Sequence, residues 1–272
     1  MPLIDPDRIA TILRETAAEE VLPRWRNLGD ADVLEKAGPD DLVTVADRAT
    51  EVVLTRRLAE ALPGSQVVGE EAAHADPQVL TRLENAGPTW VIDPIDGTSA
   101  FAKGSDEYAV MVGLVDDGAL IAGFIYQPVA DVLLLGEHGG GVWLWDRSGR
   151  RRLAPPDCGA SLKTYSGITG RKLMTEAVRQ RLEAARTEFS AVSNSVCAGI
   201  DYVHMLTGGA QFALYMKSEP WDHLPGLALA RELGFHYAKH DGTPYRPGDN
   251  TGGLLIAPDA ATWTAIHALV LA

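Results

Sequence analysis

Residues 90–104, WVIDPIDGTSAFAKG, decide how this chain is read. Thr89, Trp90, Val91 and Ile92 form a short apolar run of the kind that makes a buried strand. The run ends on Asp93, and Asp96 follows three positions later. Two carboxylates at the end of a buried strand have no apolar partner there. They are either solvated turn residues or they hold something positive. Pro94 fixes its own φ and biases Asp93 towards extended geometry. A tight turn then aims Asp93, the Ile95 carbonyl and Asp96 at one point. Gly97 allows a backbone conformation barred to residues with a Cβ. If a helix starts at Thr98, the Gly97 and Thr98 amides point at an anion. One stretch thus supplies both cation ligands and a phosphate cradle.

Two further acidic groups fall where one element gives way to another. Upstream, SQVVGEE reads as a short strand ending on Glu70 and Glu71. Downstream, EPWDHLPG carries Asp222. Hard divalent cations such as Mg2+ take oxygen ligands, commonly one or two carboxylates per ion with water and phosphate. A lone DxxDG is common in turns, and a lone Glu-Glu pair is commonly solvated. The order of all three groups along one chain is what favours a metal site.

The bulk numbers agree with such a site. The chain has 272 residues, enough for one large domain or two small ones. Its hydrophobic content of 46% is that of an ordinary globular protein. The net charge of −13, from 37 acidic and 24 basic residues, argues against nucleic acid or an anionic membrane as partner. An anionic substrate would need a cation to bridge it to this protein. Cys158 and Cys197 form no CxxC, so neither a disulfide framework nor a zinc cluster is expected. The N-terminus lacks a basic segment followed by an apolar core, and no apolar run approaches the ~20 residues of a membrane span. A cytoplasmic protein is the expectation.

Helical spacing follows Asp5-Pro6 and continues to Trp25, and a second helix is expected from Thr44 to Leu62. Residues 107–146 read as an antiparallel meander, broken at Asp117-Gly118, Pro128 and Gly139–Gly141. The polar stretch 146–159 reads as a junction between halves, 1–145 and 146–272, with Arg150-Arg151-Arg152 as a solvated loop. Beyond it, helices are expected at Arg171–Phe189, Ala198–Leu206, Leu224–Leu233 and Ala260–Leu269. Between them AQFALYM, FHYAKH and GLLIAP read as strands.

These motifs together resemble the inositol monophosphatase family of Mg2+-dependent, lithium-sensitive phosphatases. Asp93–Phe101 meets the family's first signature in full. EKAGPDDLVTVADRATE, with Lys36, Asp41, Thr44 and Asp47, resembles its lysine loop and D-x-V-T-x-x-D helix start. VVGEEAA resembles its G-E-E strand end, and PWDHLPGLALARELG its second signature. The resemblance implies an α+β, layered α-β-α-β-α sandwich, commonly dimeric. It also implies that Glu70, Asp93 and the Ile95 carbonyl hold one Mg2+. Asp93, Asp96 and Asp222 would hold a second, and Glu70 would serve a third. Glu70 and Thr98 would orient the attacking water, with Asp47 bonded to Thr98, while the Gly97 and Thr98 amides hold phosphate. Lys36 reads as a surface lysine on sequence alone, Trp221 as packing, and Glu71 as structural. His223 is either a substrate contact or a buried helix-start histidine.

The substrate-reading half departs from the family. Leu224 and Pro225 replace small residues after the aspartate, and Val196-Cys197 replaces a Gly-Ser or Gly-Thr pair. The position seven residues before Asp222, where an acid often binds inositol hydroxyls, is Tyr215. Tyr215 is therefore read either as a flat wall for a less hydroxylated leaving group or as strand-end packing. A small phosphorylated metabolite is the expected substrate. Histidinol phosphate, fructose bisphosphate and nucleotide 3′-phosphates stand beside inositol phosphate. A non-catalytic binding relative and a Ca2+-binding structural module are the readings from other classes. The second lacks support, because the EF-hand pattern is missing.

Overall fold

In the computed structural model of the protein, residues 3–38, 41–159, 161–170 and 173–272 are described. Arg171, where a helix was expected to begin, and the side chain of Asp41 lie outside the described residues.

Strand β4 (Thr89–Asp96) is buried along its whole length. Its side chains alternate: Trp90 and Ile92 enter one core, and Val91 enters the other. The strand is the second of a seven-stranded sheet. Its neighbour β3 (Gln66–Gly69) is parallel to it. On the other side follow β5 (Ala109–Asp116), β6 (Ala119–Gln127), β7 (Val132–Glu137), β8 (Gly141–Asp146) and β9 (Gly149–Arg152), all antiparallel. The meander is thus as expected, but the arginine run is not a loop. It is the edge strand β9, and Arg150 lies over Trp143, 4.7 Å from its ring centre. The first sheet therefore continues beyond residue 145.

On one face of this sheet lie α1 (Pro6–Thr16), extended by a π-helical turn at Ala17–Val21, and α2 (Val45–Ala61). On the other lie α6 (Ala198–Leu206) and α7 (Pro220–Glu232), which also cover a second, five-stranded sheet. That sheet runs β11 (Ala191–Asn194), β10 (Ser166–Thr169), β12 (Phe212–Tyr215), β14 (Leu254–Ala257) and β13 (His236–Lys239). Its outer face carries α5 (Glu176–Ala184) and α8 (Ala260–Val270). Strand β12 shows why two layers can share it: Ala213 and Tyr215 face α6 and α7, whereas Phe212 and Leu214 face α5 and α8. The five layers are the α-β-α-β-α sandwich expected.

Helix α7 sits unusually close to the first sheet. Pro225 lies inside it and donates no hydrogen bond to the preceding turn. A Cβ at Gly123 would come 2.0 Å from the Pro225 carbonyl oxygen, and one at Gly113 would come 3.3 Å from its nitrogen. Glycine on β5 and β6 therefore lets the helix backbone rest on the strands. This contact seats Asp222, in the first turn of α7, beside the end of β4.

Candidate metal centre

Asp93 and Asp96 are three residues apart, so a regular strand would point them to opposite faces. The ladder corrects this. Asp93 pairs with Met111 and Asp96 with Ala109, so β4 advances three residues while β5 advances two. Pro94, which has no amide hydrogen, sits in that bulge. Both carboxylates consequently reach the α6 and α7 side. Oxygens of Asp93, Asp96 and Asp222 lie within 4.8 Å of one another. Asp93 and Asp96 are buried and Asp222 is half-buried.

Three ionised carboxylates at that spacing repel by about 3 kcal/mol per pair at an effective dielectric constant of about 20. Burial and the charges of Glu70, Asp96 and Asp222 hold Asp93 well above the usual carboxylate range. Burial also raises Asp96, against the amides of Gly199 and Ala198 and the Cys197 thiol. Asp222 is raised by burial and by Asp96 and Glu70. Asp93 Oδ1 is buried with no hydrogen-bond partner among the described residues. A buried acceptor without a donor, inside a cluster of like charge, fits a hard cation.

The turn after β4 supplies the rest of the expected motif. Gly97 has φ of 91°, in the left-handed region, and a Cβ there would lie 3.1 Å from both Cys197 Sγ and the Glu107 carbonyl. Helix α4 (Thr98–Ala102) begins immediately after it. Thr98 Oγ1 is 3.0 Å from Asp47 Oδ1 and 3.0 Å from the Ile95 carbonyl oxygen. Asp47 belongs to a capping box that opens α2: Thr44 donates to Asp47 Oδ2 from its amide at 2.8 Å and its hydroxyl at 2.5 Å. Burial pushes Asp47 up to about 6, against the Thr44 hydrogen bonds.

Glu70 and Glu71 do not end a strand; they open the short helix α3 (Glu70–Ala75). Glu70 is not one of the three converging residues, although its charge acts on Asp93 and Asp222. Lys36 Nζ donates to Glu70 Oε1 at 2.8 Å and to Glu71 Oε1 at 2.5 Å. The Lys36 side chain is 3% exposed, so it is not the surface lysine its sequence context suggested. Burial works to lower its pKa, but the charges of Glu70 and Glu71 outweigh that and keep it protonated.

His223 and Tyr215, each read in two ways from the sequence, are both buried. His223 is buried, with its ring bonded to the Tyr202 hydroxyl at 3.2 Å and the Lys217 carbonyl at 3.1 Å. Burial lowers its pKa to about 4, so it is a neutral helix-start histidine. Tyr215 is 7% exposed, and its hydroxyl donates to Asp201 at 3.3 Å, which leaves little of it to form a flat wall. Trp221 packs against the central core, as expected.

Sequence reasoning missed Glu51. Its carboxylate accepts from the Glu71 amide at 2.8 Å and the Ala72 amide at 2.9 Å, capping α3 from α2. Burial pushes Glu51 up to about 7 against these two bonds. A signal was available: Glu51 lies one turn beyond Asp47 on the same face of α2, in line with Leu54 and Leu58. Gly69 is required beside it, because a Cβ there would lie 2.2 Å from Glu51 Cδ.

Comparison with known proteins identifies the family and the fold. The model of the inositol monophosphatase family matches residues 6–271. An inositol-1-monophosphatase from Mesorhizobium japonicum is 30% identical over 224 residues, which is 80% of each chain. Among solved structures, a Thermotoga maritima IMPase matches with a TM-score of 0.80 at 20% identity, over 97% of this chain and 95% of that one. SaIMPase-II from Staphylococcus aureus, with inositol monophosphate bound, matches with a TM-score of 0.79 at 22% identity, over 98% and 94%. The structural likenesses speak for the fold, and the sequence matches for descent. This chain belongs to the inositol monophosphatase family.

Proposed function

We propose that the protein hydrolyses a small-molecule phosphate monoester with the help of Mg2+, and that water is the nucleophile. The observation that carries this reading is the convergence of Asp93, Asp96 and Asp222 within 4.8 Å, with Asp93 Oδ1 buried and without a hydrogen-bond partner among the described residues. Asp93, Asp96 and Asp222 would hold the cations, with Glu70 and the Ile95 carbonyl completing the set for two or three ions. When bound, such ions supply the positive charge that lets an acidic cluster accept phosphate, and they acidify water.

The chain's own residues do the positioning. The Thr98 hydroxyl, donating to Asp47, keeps its lone pairs free to accept a proton of the attacking water and so orient it. Asp47 serves as that acceptor once ionised, above about pH 6. The Gly97 and Thr98 amides are assigned to phosphate oxygens. Burial and Asp96 hold the nearby Cys197 thiol well above its usual pKa, which disfavours it as a nucleophile. Phosphoryl transfer needs no more than positioning and charge neutralisation.

A small phosphorylated metabolite is supported as substrate by SaIMPase-II, which has been solved with inositol monophosphate and with 2'AMP bound. A homodimer, a cytoplasmic location and a division into halves 1–145 and 146–272 belong to the same proposal. No described helix is long and apolar enough to cross a membrane. The test is phosphate release from inositol phosphates, histidinol phosphate, fructose bisphosphate, adenosine bisphosphates and an aryl phosphate, each with Mg2+ and with chelator. Release that needs Mg2+ supports the reading. A folded protein that releases phosphate from none of them overturns it.

A further inference from the structure

Residues 195–199, the link from β11 to α6 and the first two residues of that helix, have no part in the chemistry above. They are nevertheless held from both sides. From behind, Asp201 in the first turn of α6 accepts from the Ser195 hydroxyl at 2.5 Å and the Val196 amide at 3.2 Å. It also accepts from the Tyr215 hydroxyl at 3.3 Å. Tyr215 cannot move away easily. Its ring centre is 4.7 Å from that of His223 and 6.2 Å from that of Tyr202, and both neighbours are buried. From the front, the same segment grips Asp96. The Gly199 amide donates to Asp96 Oδ2 at 2.5 Å, while the adjoining Cys197 thiol donates to the Glu107 carbonyl at 3.8 Å. Gly199 is needed for this approach, because a Cβ would lie 2.5 Å from Ala109 Cβ and 3.1 Å from Asp96 Oδ2.

Asp201 and Asp96 are therefore joined by one short segment, bonded at both ends. A donor lost at Asp201 loosens the turn, and the turn carries the Gly199 amide that aims Asp96. We propose that Tyr215 is a positioning residue and not a substrate contact: through Asp201 it fixes residues 195–199, and through them the Asp96 carboxylate. This inference rests on the assignment of Asp96 as a cation ligand. It replaces the reading of Tyr215 as a wall against the leaving group.

The test is Mn2+ binding to the full chain, followed by electron paramagnetic resonance, for wild type, Tyr215→Phe, Ser195→Ala and Asp93→Asn. Each of the first two substitutions removes one hydroxyl from Asp201 and spares the ring or backbone. Each is expected to weaken Mn2+ binding about three- to tenfold. The kcat/KM ratio between inositol 1-phosphate and an aryl phosphate should stay within about twofold. The double variant should weaken binding by less than the product of the singles, since both act through one carboxylate. Unchanged Mn2+ affinity in a folded Tyr215→Phe variant overturns the inference, and a shifted substrate ratio in that variant would restore the substrate contact. Ser195, half-buried and bonded to the same carboxylate, keeps the link from Asp201 to Asp96 testable if Tyr215→Phe fails to fold. Wild-type protein that binds no Mn2+, or binds it as well with Asp93→Asn, overturns the metal assignment itself and this inference with it.

Discussion

Thr98 Oγ1 lies 3.0 Å from Asp47 Oδ1, although the two residues are 51 positions apart in the chain. The contact joins the first turn of α2 to the turn that follows β4. One hydroxyl can donate only once. Donation to Asp47 leaves its lone pairs for water; donation to the Ile95 carbonyl, also at 3.0 Å, would leave Asp47 without this bond. Thr98→Ala should lower kcat by about 10²-fold or more, with a smaller effect on KM. Steady-state kinetics decide the matter. A change in KM alone would reduce Thr98 to a phosphate contact.

The turn itself depends on Gly97. An alanine there would need φ near 91° and would crowd Cys197 and the Glu107 carbonyl at 3.1 Å. Gly97→Ala should cost about 1–2 kcal/mol, a fall in Tm of several degrees, and should lower kcat by moving Thr98. Wild-type Tm and kcat together would mean that the turn does not need its left-handed residue.

Lys36 neutralises two glutamates at once. Lys36→Met leaves Glu70 and Glu71, 19% and 11% exposed at their side chains, without their cation. The expected loss is about 3 kcal/mol of stability, measured by denaturant unfolding in chelator. Mg2+ should recover part of it. A variant as stable as wild type in chelator would show that the pair contributes nothing net.

The buried acids also set a pH dependence. Asp47 is raised to about 6, and Glu51 and Asp201 to about 7, chiefly by burial. A carboxylate raised by folding stabilises the protein below its ordinary pKa, and that contribution is lost as pH climbs through the folded value. His223, lowered to about 4, acts in the opposite sense, but its effect is complete by about pH 6.5. In chelator, Tm should therefore fall between pH 6 and pH 8. Mg2+ should raise Tm more at pH 8, where its ligands are ionised. A Tm that rises steadily across this range without metal would contradict the burial of these acids as protonated groups.

Much of this was legible in the sequence because it is local. Pro94 and Gly97 announce the turn, Thr44 announces a helix start, and the apolar run AQFALYM announces a strand. What could not be read is set by contacts between distant segments. Lys36 looks like a surface lysine until the hairpin of β1 (Val33–Gly38) and β2 (Asp41–Thr44) brings it onto Glu70. Tyr215 looks like a recognition residue until α6 brings Asp201 to its hydroxyl. Pro225 looks like a helix-start residue, yet it lies inside α7 and is accommodated by Gly113 and Gly123 on β5 and β6, about a hundred residues earlier. The arginine run is polar enough for a loop, and only its pairing with β8 makes it a strand.

The central claim is that Asp93, Asp96 and Asp222 hold the cations on which hydrolysis depends. Phosphate release by Asp93→Asn at saturating Mg2+ tests it most directly. Asparagine keeps the shape but removes a buried charge from a cluster of like charge. The variant is expected to fold, with a Tm in chelator equal to or above wild type, and to lose phosphate release. A folded Asp93→Asn protein that releases phosphate at close to the wild-type rate would contradict it.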